Sequence, residues 1–174
     1  MSDEKTLITH TSKRARFLGY DIFVCRDQKT NNGSRTLSNR VLLYMPQEKW
    51  FKKLLSYKAL RIKTDDSGKE IWRPTHRRYL VDNDDLEILK KYNSEITGIY
   101  NYYRIANNVS TLQSFKYVMV YSMCRTFYLK YRTRIGKLKR KYCINGKFAV
   151  RYKTKTENKV LFFYNNGFKR QKLP

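Results

Sequence analysis

Apolar residues recur at intervals of three and four through Leu86, Leu89, Tyr92, Ile96, Ile99, Tyr100, Tyr103 and Ile105. That spacing marks one face of an amphipathic helix, and it makes residues 92–108 the stretch around which the chain is organised. Asp82 opens the helix as a candidate cap, with Asp84, Asp85 and Glu87 at the positive end of its dipole. After a break at Asn107 and Asn108, a second apolar run predicts a helix over residues 111–131. Ser110 is its candidate cap, and Leu112, Phe115, Met119, Met123 and Leu129 face inward. The stripe on the first helix needs a partner and the second helix is nearest, so two packed helices form the expected hub.

The flanks read differently. Residues 16–25, with their core FLGYDIFVC, predict a strand; residues 26–39, rich in Asn, Ser, Thr and Gly, a loop; and residues 40–45 a second strand, together a hairpin with a long connection. Pro46 suits the first turn of a helix running to about Tyr57, with Trp50, Phe51, Leu54 and Leu55 on one side. Residues 58–78 read as a linker with a short strand at its centre and a turn at 65–68. Beyond the hub, residues 132–147 predict a short basic helix ending near an Asn145-Gly146 turn. Strands at 147–152 and 159–164 then form a closing hairpin. The expected fold is α+β and mainly helical: a basic arm without order at 1–14, a hairpin, helix and linker at 15–80, and a helical bundle around 83–141 with its terminal β-hairpin completing 81–174.

Charge changes the picture more than length does. The chain has 174 residues, 41% of them hydrophobic and 15% aromatic, enough for a folded core. It also carries 38 Lys plus Arg against 14 Asp plus Glu, a formal charge of +24. Charge of one sign at that density calls for a partner of the other sign, and a polyphosphate is the leading candidate. No apolar run approaches the roughly 20 residues of a spanning helix and no signal peptide heads the chain, so neither a membrane partner nor secretion is expected. Three well-separated cysteines, Cys25, Cys124 and Cys143, argue against a disulfide framework, and His10 and His76 stand at no metal-ligand spacing. No cofactor or metal is expected.

The excess charge is lopsided. Residues 1–106 hold 21 Lys plus Arg and 13 acids, a balance of +8; residues 107–174 hold 17 and one, Glu157, a balance of +16. Within this half Arg132, Arg134, Lys137, Lys139, Arg140 and Lys141 form a run with no negative neighbour. A solvated helix face would normally mix signs, so phosphate binding is the preferred reading. Arg151, Lys153 and Lys155 alternate with Val150, Tyr152 and Thr154 at strand spacing, placing three cations on one face. An edge strand guarded by lysine gives the same pattern. Lys116, Arg125, Lys130, Lys147, Lys169 and Arg170 complete the candidate cations of this half. Tyr100 and Tyr103 belong to the packing stripe, whereas Tyr102, turned away, is a candidate base contact, and Arg104 near it is a further candidate RNA contact. The acid pairs Asp65-Asp66 and Asp84-Asp85 lie in a turn and at a helix start, unlike the rigid hairpin on which a polymerase holds two magnesium ions.

Five words in order, FLGYDI at 17–22, YNSEITGIYNYY at 92–103, YSMCRTFYLKYR at 121–132, VRYKTK at 150–155 and FFYNNGFKR at 162–170, resemble group II intron maturases. They are similar to the end of the reverse-transcriptase palm, the thumb and domain X. The resemblance implies a non-catalytic module whose partner is group II intron RNA and whose role is to assist intron folding and splicing, in a bacterial cytoplasm or an organelle. A separate reverse-transcriptase palm and further copies of the same chain are additional partners it allows. The palm carboxylates and the endonuclease segment of the family lie outside the matched words, so no catalytic residue is assigned. Two alternatives stand beside this reading: the thumb and X portion of an intron-encoded RNA-directed DNA polymerase, and a generic basic nucleic-acid-binding protein.

Overall fold

The computed structural model describes residues 10, 13–25 and 40–172. Most of the basic arm and the whole 26–39 connection lie outside them. The strand expected over 16–25 is two strands, β1 (Ala15–Phe17) and β2 (Tyr20–Cys25), paired antiparallel with Phe17 opposite Tyr20. Leu18 and Gly19 make the reversal with φ of +46° and +78°, the paired left-handed geometry of a two-residue hairpin turn. Leucine rarely adopts that conformation. It is held here because the Tyr102 hydroxyl donates to the Leu18 carbonyl, and a Cβ on Gly19 would lie 3.3 Å from the same hydroxyl oxygen. β3 (Arg40–Tyr44) pairs with β2, Ile22 opposite Leu43, completing a three-stranded sheet of order β1-β2-β3.

Helix α1 (Gln47–Ser56) follows Pro46 as expected and buries Trp50 and Leu54. It stops at Lys58, whose φ of +54° turns the chain while the Ala59 amide closes onto the Leu54 carbonyl. The segment read as a linker is instead a second hairpin, β4 (Leu60–Thr64) and β5 (Glu70–Pro74), with Ile62 opposite Trp72. Arg61, Lys63, Lys69 and Arg73 dilute its apolar alternation in the sequence. Packing of Trp72 on Phe51 and Trp50, at 4.5 and 6.1 Å between ring centres, supplies the missing hydrophobic contact. The turn expected at 65–68 is present: the Asp65 carboxylate accepts from the Ser67 hydroxyl and from the Ser67 and Lys69 amides.

The hub is α2 (Asp85–Tyr103) against α3 (Leu112–Tyr131). Asp84, not Asp82, caps α2 by accepting from the Leu86 amide. α3 is entered through a short 3-10 turn over Val109–Thr111, so Ser110 is not its cap. Leu89, Tyr92 and Ile96 are fully buried against Phe115, Met119, Met123 and Phe127. One polar chain runs through this core: Tyr92 Oη meets Ser122 Oγ at 2.9 Å and Thr126 Oγ1 at 3.0 Å, Ser122 donates to the Thr75 carbonyl, and Thr126 accepts from the Arg77 amide. Burial pushes the Tyr92 hydroxyl up to about 12.

Helix α4 (Ile135–Tyr142) then leads to β6 (Cys143–Ile144), β7 (Lys147–Lys153) and β8 (Asn158–Phe162), an antiparallel sheet of order β6-β7-β8. Asn145 and Gly146, at φ of +51° and +74°, form the expected turn, which adds β6 to the predicted hairpin. The tail returns across α2: Phe168 is buried, Tyr100 Oη donates to the Lys169 carbonyl, and the Gln171 amide donates to the Arg104 carbonyl. A single apolar cluster runs from Met45 to Phe168.

Candidate nucleic-acid interface

The basic helix is anchored before it is charged. Leu138 and Tyr142, one turn apart, are the buried residues of α4. Tyr142 stacks on Phe148 at 5.2 Å and meets Phe127 edge-on at the same distance. With that face pinned, Lys137, Lys139, Arg140 and Lys141 are exposed, as is Arg134 at the residue before the helix. Arg132, exposed at φ of +45°, is the reversal that ends α3 and lets α4 pack back against it through Tyr142 and Phe127. Lys141 Nζ sits 4.7 Å and 4.9 Å from the ring centres of Tyr131 and Tyr142, which orients it without neutralising it. Glu157, the one acid beyond residue 106, lies 3.5 Å from Lys159 at the far hairpin.

On β7, Lys147, Arg151 and Lys153 are exposed, while Val150 and Tyr152 turn inward. Lys155 lies past the strand, in the turn that Thr154 and Glu157 close by hydrogen bonds. Lys116 is half-buried on α3 with its ammonium 5.6 Å over the Tyr164 ring. Burial first, and then the Lys147 charge, hold its pKa below the usual lysine value, so these two cations are neighbours. Lys141 and Arg151 line one cleft of about 390 Å³, whose other wall carries Asp84 and Asp85. Lys169, Arg170 and Arg104 are gathered at the end of α2, where Arg170 Nε donates to the Ile105 carbonyl at 3.0 Å. Arg125 is exposed on the outer face of α3.

Two predicted contacts are engaged elsewhere. Lys130 Nζ lies 3.0 Å from Asp85 Oδ1 and donates to the Asn83 carbonyl, with its side chain largely covered. Asp85 also accepts from the hydroxyls of Tyr131 and Tyr142. Burial alone would raise the Asp85 carboxyl, but the two hydroxyls and the ammonium outweigh it and hold the pKa below the usual aspartate value. Tyr102 is half-exposed, yet its ring stacks on Tyr20 at 5.8 Å and its hydroxyl fastens the β1–β2 turn. Conversely, Lys49 and Lys53 carry no signal in the sequence, because they lie in residues 1–106, where 13 acids offset most of the basic charge. They rim a groove of about 640 Å³ opposite Ser94, Gly98 and Tyr102 of α2. The groove exists because the fold sets α1 across from α2 with a gap between them.

A model of the type II intron maturase matches residues 38–169. The chain belongs to the type II intron maturase family. The chain is 38% identical over 170 residues to the group II intron-encoded protein LtrA of Lactococcus lactis subsp. cremoris, and equally so to LtrA of strain MG1363 of that subspecies. The match covers 95% of this chain and 28% of each relative, so the chain spans a little over a quarter of the length of the curated relatives it matches. Among the described residues no three His, Cys, Asp or Glu side chains gather as metal ligands, and no helix is long and apolar enough to cross a membrane.

Proposed function

We propose that this chain binds group II intron RNA through the cations of α4 and β7 and assists the folding and splicing of that RNA, without performing a chemical step itself. The observation that carries the reading is a basic helix whose apolar face is locked into the core while Lys137, Lys139, Arg140 and Lys141 stand exposed; among the described residues none of them forms an ion pair, and Asp84 and Asp85 share a cleft with Lys141 alone of the four. Leaving such charges unpaired costs self-repulsion, which closely spaced phosphates relieve. Side chains reach the shallow minor groove and backbone of RNA helices more readily than their deep major groove, so shape governs recognition.

Engaging about eight phosphates gives a slope of log affinity against log salt of about −6 to −7 in a filter-binding titration. A slope near zero overturns the proposal, and equal affinity for bulk duplex DNA replaces it with a generic basic protein. A splicing assay at limiting magnesium, with and without the chain, reads the assistance directly. Reversing Arg134, Lys137 and Arg140 to glutamate abolishes it while circular dichroism stays unchanged.

A second reading is favoured by the lysine-rimmed groove between α1 and α2. There the chain acts as the thumb of an intron-encoded polymerase and holds a template–primer duplex. Loss of heteroduplex binding in Lys49→Glu/Lys53→Glu, with intron binding retained, supports it.

A further inference from the structure

α3 buries one apolar side, and its outward arc carries more aromatic rings than charges. At 100° per residue, Tyr117, Tyr121, Arg125 and Tyr128 fall within an arc of about 80° and extend about 17 Å along the helix, with Arg132 at the turn just past its end. The three tyrosines are 60%, 46% and 49% exposed, and both arginines are exposed. Tyr117 and Tyr121 lean together, ring centres 4.6 Å apart at 52°. The 20 residues of α3 contain no acid.

Three exposed rings on one rigid helix exceed what solubility favours, and an apolar stripe of this kind marks a binding surface. A second copy of the chain is disfavoured as its occupant, because two chains of +24 repel. Charge complementarity with Arg125 and Arg132 selects an anionic partner, and flat rings select one with π-faces. We infer that Tyr117, Tyr121 and Tyr128 form a stacking platform for unpaired bases of single-stranded RNA, with Arg125 and Arg132 on the adjoining phosphates. The inference rests on the RNA-binding reading and adds to it a class of target, unpaired nucleotides, that α4 and β7 do not distinguish. Stacking on aromatic side chains is sequence-tolerant, so any exposed loop of suitable length serves.

The test uses the full chain, with fluorescence anisotropy of a labelled short oligouridine and of an RNA duplex. Tyr121→Leu and Tyr128→Leu each weaken oligouridine binding by about fivefold or more, whereas Tyr121→Phe stays within roughly twofold, since the ring and not the hydroxyl stacks. Duplex affinity and the salt slope remain as in the native chain. Leucine variants that bind oligouridine like the native chain overturn the platform and leave the RNA-binding reading standing. A native chain without salt-dependent RNA binding overturns both. Self-association of the native chain in sedimentation equilibrium, lost in Tyr121→Leu, also overturns it by assigning the stripe to a second copy. Circular dichroism of each variant confirms that α3 is retained.

Discussion

Asn108 grips the backbone of Met45 with both ends of its side-chain amide. Oδ1 accepts from the Met45 amide at 2.7 Å, and Nδ2 donates to the Met45 carbonyl at 2.9 Å. Asn107 continues the pattern on Leu43, whose carbonyl accepts from the Asn107 amide at 2.8 Å and whose amide donates to Asn107 Oδ1 at 3.1 Å. β3 is an edge strand, and these two residues occupy its free side, so the joint between α2 and α3 also ties the N-terminal sheet to the hub. Asn108→Ala removes both bonds and leaves the Met45 amide and carbonyl with water as their remaining partner. Stability falls by about 1–3 kcal/mol, read as a lower urea midpoint at unchanged slope.

That pairing was invisible in the sequence, where Asn107 and Asn108 read only as a break. The hub itself was legible because a 3.6-residue period survives any tertiary context. The Asn145-Gly146 reversal was legible because both residues tolerate positive φ. The Leu18-Gly19 reversal was not: leucine signals a strand, and only the Tyr102 hydroxyl, 84 residues away, makes the turn hold. The candidate site divides in the same way. Exposure of the α4 cations follows from Leu138 and Tyr142 at helical spacing. The fate of Lys130 depends on Asp85, 45 positions earlier, and no local pattern reports it.

Arg77 is the least expected core residue. Its side chain is wholly buried, with Nη2 2.7 Å from Glu95 Oε2, Nε donating to the Tyr57 carbonyl, and the guanidinium 4.6 Å over the Tyr92 ring. Nη1 has no hydrogen-bond partner. Burial raises the Glu95 carboxyl more than Arg77 and Lys91 lower it, so desolvation dominates the pair. Arg77→Met therefore strands a buried carboxylate and costs about 3–5 kcal/mol. Arg77→Met/Glu95→Leu costs less than the sum, and a double-mutant cycle of denaturation midpoints measures the difference.

Asp85 and Glu95 act in opposite directions on acidification. The folded-state pKa of Asp85 is depressed, so its contribution is fully present above the unfolded aspartate value of about 3.9 and is lost as pH falls through the lower folded value. Glu95 is raised, so the folded chain binds its proton more readily than the unfolded chain, and its contribution improves as pH falls towards about 4. Asp85→Asn flattens the acid limb of a stability-versus-pH curve. Glu95→Gln steepens it. Thermal melts between neutrality and pH 3 distinguish the two, and parallel curves would contradict the assignment.

Lys130 and Lys137 lie seven residues apart in one basic stretch, yet their charges do different work. The Lys130 ammonium is compensated by Asp85 and covered, so phosphate can reach it only by breaking the contacts that join α2 to the end of α3. Lys137 is exposed, and the buried face of α4 does not include it. Releasing counterions requires a charge that is free to be neutralised by RNA. Lys137→Gln therefore lowers the magnitude of the salt slope by about 0.7–0.9, with stability unchanged within about 0.5 kcal/mol. Lys130→Gln lowers stability by about 1–3 kcal/mol through the stranded Asp85 carboxylate and leaves the slope alone. Filter binding and thermal melts on the same two proteins separate these outcomes, and a slope change in Lys130→Gln equal to that in Lys137→Gln would place both lysines on the RNA.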